Sequence, residues 1–152
     1  MFSLFSYVPA LLSLFAGAMI VLQAPINARL GSVMGGPLVA AFLSFLTGTL
    51  ALGLCLLVLR KSVAISQITH TSPWMWVGGV LGAILVFTTI FAVPRLGATA
   101  MFALVIGGQV LFSLILDHYG FLLPQATAIS PLRLLGAGLL VSGIALIVAP
   151  KL

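Results

Sequence analysis

Five runs of roughly twenty residues, almost devoid of charge, restrict what this chain can fold into more than any motif does. A helix crosses the hydrocarbon core of a bilayer with about 20 apolar residues. The runs cover residues 4–24, 37–59, 73–93, 97–116 and 134–150. Each is continuous rather than alternating, which favours helices over the two-residue repeat of a closed barrel. The chain is 62% hydrophobic and 5% charged, whereas a soluble domain carries about 25% charged residues. A fold of 152 residues cannot hide that much apolar surface from water. The sequence therefore predicts an all-α integral membrane protein, a bundle of five transmembrane helices. These form a single domain over residues 1–152, with the lipid bilayer as its solvent.

The ends of the runs fit this reading. Pro37 and Pro73 open the second and third spans, where a missing N–H costs little. Trp74, Trp76 and Tyr119 fall near span ends, as interfacial aromatics do. The fifth run is short, and the long side chains of Arg133 and Lys151 beside it can snorkel outward. The opening MFSLFSYVPALLSLFAG has no Lys or Arg before its apolar core, so it reads as the first span and not as a cleaved leader. Small residues four apart, at Ser44 and Gly48, Gly78 and Gly82, and Ala103 and Gly107, predict close helix contacts. Gly136 and Gly143 are seven apart, with Leu139 and Leu140 between them. That spacing keeps one stripe toward a partner helix and predicts a self-association face.

Charge narrows the function. On the side of the N-terminus lie Arg60, Lys61 and Arg133; on the other lie Arg29, Arg95 and Lys151. Three against three leaves no excess to orient the chain. Either the protein inserts both ways and pairs with an inverted copy, or six basic residues balance by chance. They form no patch, which argues against nucleic acid as a partner. Cys55 stands alone, so neither an internal disulfide nor a thiolate metal site is available. Asp117 is the single carboxylate side chain, and His70 and His118 are predicted in loops. No catalytic set, metal cluster or phosphate-binding loop emerges. No cofactor is implied, and a secondary carrier or channel subunit is favoured over an enzyme.

Polar residues inside the spans mark the candidate site. Gln109, Ser113 and Asp117 recur every four residues and share one helical face. They read either as a substrate path from mid-membrane to the surface or as interhelical hydrogen bonds. Asp117 would stand at the mouth of that path or in an ion pair with Arg133, Arg60 or Lys61. As a dyad with His118 it is poor, because adjacent helical residues point about 100° apart. In QAPINARLG, residues 23–31, Pro25 is expected to kink or stop the first helix near Val21 to Gln23. A break there exposes carbonyls that can serve a ligand; otherwise the helix ends and Arg29 anchors the loop. If the helix continues, Gln23 and Asn27 share a face. Ser44, Thr47, Thr88 and Thr89 are weaker candidates, since such hydroxyls can bond their own helix carbonyls.

The stretches QAPINARLG, GGPLVAAFLSFLTGTLAL, RLGATAMFALVIGGQVLFSLILDHYGF and RLLGAGLLVSGIALIV together resemble the YdcZ branch of the drug/metabolite transporter superfamily. The resemblance implies a bacterial inner-membrane carrier of small metabolites, with some members working as oppositely oriented pairs. Residues Phe91 to Val148 are also similar to the last two helices of small multidrug resistance transporters, whose final helix pairs protomers through glycines seven apart. Gly136 and Gly143 match that spacing. Those transporters also use a Glu in the first helix, whereas this first span offers Gln23 and Asn27, which argues against proton-coupled export of cations by that mechanism. The expectation is a secondary-active exporter of a small polar metabolite, working by alternating access as a homodimer or paralogous heterodimer. Gln23, Asn27, Gln109 and Ser113 would bind the substrate. The alternative is a non-transporting accessory or scaffold subunit, which a partner copurifying in fixed ratio would identify.

Overall fold

The computed structural model describes residues 8–120 and 125–149. Among them there is no strand. The helices are α1 (Val8–Met34), α2 (Pro37–Val58), α3 (Val77–Leu96), α4 (Ala98–Tyr119) and α5 (Pro131–Val148), with 3-10 turns at Ile65–His70 and Pro73–Trp76. Five helices are long and apolar enough to cross a membrane. Residues 4–7 of the expected first span and Pro150 and Lys151 at the end of the fifth lie outside the described residues.

Several boundaries differ from expectation. The first helix does not stop at residues 21–24; α1 runs through Pro25 to Met34. Proline withholds one N–H, from the Val21 carbonyl. Downstream of it, Asn27 and Gly31 are buried, and packing there holds the helix together. Arg29 is thus helical and does not sit in a loop. At 27 residues α1 is roughly 40 Å long, enough to cross the ~30 Å hydrocarbon core with some tilt. The fourth helix extends to Tyr119, which places His118 on a helix instead of a loop. The fifth starts at Pro131, three residues earlier than expected. Ser130 caps it by accepting from the Arg133 N–H at 3.3 Å, and proline takes the first helical position.

The chain divides into two compact units, Met1–Arg95 and Leu96–Leu152. In the first, α1 and α2 form a hairpin closed by a two-residue turn. The Gly36 N–H reaches back to the Gly31 carbonyl at 2.7 Å, with Gly35 at φ +103° and Gly36 at φ +113°, conformations that favour glycine. A Cβ on Gly31 would meet the Gly36 carbonyl oxygen at 3.1 Å, so a bare Cα is what lets the turn fold against the helix. Ala40, Ala41 and Ile90 form a buried core, with Ala28, Leu30 and Val86 packed on it. α3 thereby joins the hairpin, and its Gly82 faces the Phe45 ring. Large side chains point outward: Leu14 is 74% exposed and Leu57 77%. In lipid this costs little, because bilayer tails are as apolar as leucine and helices associate by close packing of small residues.

α2 ends in a tight reversal. Arg60 takes φ +51°, its N–H bonds to the Leu57 carbonyl, and the Lys61 N–H returns to Leu56 at 2.9 Å. This is a Schellman cap with arginine where glycine is usual, and it turns residues 61–63 back from the helix end. In the second unit, α4 packs on α5. Gly107 lies so close to Ile144 that an added Cβ would sit 2.6 Å from its Cδ1, the close contact expected of the Ala103–Gly107 pair. Gly120, at φ +60°, caps α4, and the Thr127 N–H bonds back to the Asp117 carbonyl at 2.7 Å.

Candidate functional site

Because α1 passes through Pro25 as a helix, Gln23 and Asn27 fall one turn apart on the same face. That face meets α2 at Ser44. The Gln23 Nε2 donates to the Ser44 Oγ at 3.2 Å, and the Asn27 Nδ2 donates to the same oxygen at 3.1 Å. Ser44 lies seven residues into α2, about 11 Å along the helix, within the apolar span. Asn27 is buried, at 6% exposure, while Gln23 is open on one side. A hydroxyl oxygen has two lone pairs, and both are engaged here, which leaves the amide oxygens as the acceptors this cluster offers.

Beside the cluster is a cleft of about 230 Å³, polar where Gln23, Ser44 and Thr49 line it and apolar along Phe45, Leu52 and Val86. Thr49 donates to its own helix, to the Phe45 carbonyl at 2.8 Å, which leaves its oxygen free to accept. The cleft holds no charged group. It is smaller than the roughly 300–1,000 Å³ of drug-sized pockets and fits a ligand of few atoms. Ser44, ranked among weaker candidates from sequence, is thus the hub of the cluster. Thr47 and Thr89, placed in the same group, do bond their own helix carbonyls, Leu43 and Val86.

Gln109 and Ser113 are exposed, and the Ser113 hydroxyl donates to the Val110 carbonyl at 2.8 Å. Asp117 pairs with Arg133 at 3.1 Å, one of the partners anticipated for it. The pair is part-exposed, at 43% and 34%, so it is worth at most about 1 kcal/mol. Asp117→Asn is accordingly expected to shift the melting temperature of the purified protein by only a few degrees. A collapse of stability would show that the carboxylate has a larger role. His118 packs edge-on against Tyr119, 5.1 Å between ring centres. Gly136 and Gly143 have nothing within 4 Å of an added Cβ.

One feature escaped sequence reading. Arg95 folds back along α3, its guanidinium 3.6 Å from the centre of the Phe91 ring and donating to the Phe91 carbonyl. It borders a second cleft of about 200 Å³ with Ser32, Gly31 and Gly36. The signal was present in the spacing, since Phe87, Phe91 and Arg95 are successive i, i+4 neighbours, and the two phenyl rings stack at 6.2 Å.

Residues 8–146 match a protein family described as "Putative inner membrane exporter, YdcZ". No curated protein matches the chain, and no solved structure does.

Proposed function

Since the chain belongs to the YdcZ family of inner-membrane exporters, and is a multi-pass protein of that membrane, we propose that it carries a small, uncharged or zwitterionic polar metabolite by hydrogen bonding in the cleft beside the Gln23–Asn27–Ser44 cluster. The observation that carries this reading is the convergence of two amides on one hydroxyl, beside an uncharged cleft within an apolar span. Polar groups at such depth are costly and are retained where they serve a partner helix or a substrate.

Transport proceeds by alternating access around this site, in a dimer. One feature supports the pairing: Gly136 and Gly143 on α5 have open space where a Cβ would stand and leave a strip free. The strip, with Leu139 and Leu140, is the proposed contact. Within α4, Gln109 and Ser113 are proposed as a polar path of their own for substrate, with Asp117 at its mouth. Members of a panel of neutral and zwitterionic metabolites are expected to raise the melting temperature of the wild-type protein. Gln23→Ala and Asn27→Ala are each expected to weaken that response by about tenfold in ligand concentration, the effect of about one lost hydrogen bond. Wild-type responses in both variants would sink the assignment of the cleft.

A further inference from the structure

A third concavity lies at the other end of α2 from the turn with α1. It is an open groove of about 620 Å³. Its floor is one face of α2: Leu50, Gly53, Leu54 and Leu57 recur at i, i+3, i+4 and i+7. Gly53 supplies the depth, because nothing lies within 4 Å of where its Cβ would be. The far wall is Val63, brought there by the reversal at Arg60. At the rim stands Lys61. From Leu50 to the end of α2 at Val58 is about 12 Å, most of one leaflet of a ~30 Å hydrocarbon core.

The ammonium of Lys61 cannot be matched by a carboxylate side chain of its own chain. The sequence has six Lys and Arg against one acid, and that acid, Asp117, is engaged by Arg133. A cation at a span end above an apolar groove calls for a ligand with an anionic head and a long apolar body. We propose that this groove is a binding site for an anionic phospholipid, its phosphate on Lys61 and one acyl chain along Leu50, Gly53, Leu54 and Leu57. Arg60, next in sequence, adds to the positive field at the same helix end. The groove shares Thr49 with the candidate substrate cleft, so an acyl chain seated there abuts the proposed site and a change of lipid can be felt in it. The lipid site does not depend on the substrate assignment.

The test uses the full-length protein in nanodiscs of phosphatidylcholine with and without phosphatidylglycerol, followed by native mass spectrometry of lipid retained in detergent. Wild type is expected to keep phosphatidylglycerol in preference to phosphatidylcholine. Lys61→Gln should reduce that preference about fivefold, the effect of one basic residue at an anionic surface. Gly53→Leu, which fills the groove and leaves every charge in place, should reduce it comparably, while Arg29→Gln should leave it unchanged. Equal losses in Lys61→Gln and Arg29→Gln would mean attraction without a site and would overturn the proposal. So would retained preference in Gly53→Leu, or full competition by inorganic phosphate, which would indicate a headgroup contact with no role for the acyl groove.

Discussion

Gly31→Leu is expected to be the most damaging single substitution in the first three helices, costing about 3 kcal/mol or more. The position opposite its Cα is filled by backbone: an added Cβ meets the Gly36 oxygen at 3.1 Å, the Gly36 carbonyl carbon at 3.2 Å and the Ala40 Cβ at 3.3 Å. Neither neighbour can rotate away. Gly36 is fixed by its own hydrogen bond to Gly31 and by a backbone conformation that other residues avoid. Relief requires parting α1 from α2, the hairpin on which the candidate cleft is built. Even Gly31→Ala should be destabilising, although alanine favours helix by up to ~1 kcal/mol. Two controls sharpen the comparison. At Gly107 the nearest atom, 2.6 Å from the added Cβ, is the terminal methyl of Ile144, which can change rotamer. Gly107→Ala should therefore be tolerated within about 1 kcal/mol. Gly17 has nothing within 4 Å, and Gly17→Leu should be close to neutral. Melting temperatures of the purified variants in one detergent decide the matter; Gly31→Leu melting alongside Gly17→Leu would refute the close-approach account.

Ser44→Ala is expected to give the second large effect, and mostly in function. The substitution removes the acceptor shared by Gln23 and Asn27 at 3.2 and 3.1 Å. Leaving a buried amide unpaired costs about 1–3 kcal/mol, whereas interhelical hydrogen bonds in a membrane protein average nearer 0.6 kcal/mol. A stability loss of about 1–2 kcal/mol lies between these, since Asn27 is buried and Gln23 is not. If the cluster holds substrate, export should fall at least tenfold while the protein still folds. Ser44→Thr keeps the hydroxyl and should restore part of it. In a double-mutant cycle, Ser44→Ala and Asn27→Ala should be less than additive, because each removes the same bond. Full additivity, or unchanged export in Ser44→Ala, would count against a shared site.

The membrane class and the five spans could be read from the sequence because lipid imposes a length and an apolarity that little else imitates. The interior could not. In a soluble helix the apolar stripe names the buried face; here Leu14 and Leu57 face outward and Ala40, Ala41 and Gly31 face inward, so hydrophobic periodicity says nothing about packing. Spacing of small residues served better and found Gly107. It missed Gly31, whose nearest neighbour is the backbone of the turn at Gly36, with Ala40 of α2 just beyond. A stop at Pro25 is overturned in a similar way. Proline's local penalty is readable, but the tertiary packing of Asn27 and Gly31 that outweighs it is not. Gln23 and Asn27 stand out because they flank Pro25, and the conditional reading that they share a face holds because the helix continues. Ser44 was ranked low because a serine in a membrane helix can satisfy itself, and only the neighbouring helix reveals that this one serves two amides.

Pro25 lies between Gln23 and Asn27, and this gives their common bond to Ser44 a mechanical meaning. The Val21 carbonyl lacks its N–H donor, so α1 is least stiff over the turn from Val21 to Pro25, which holds Gln23 and is followed by Asn27. Both amides are tied to a single atom of a second helix, which makes the pair a splint from within the soft turn to the turn that follows it. A molecule that drew either amide away from Ser44 would loosen one end of the splint and free α1 to flex there. The compliance of the helix would then be governed by the occupancy of the cleft beside it.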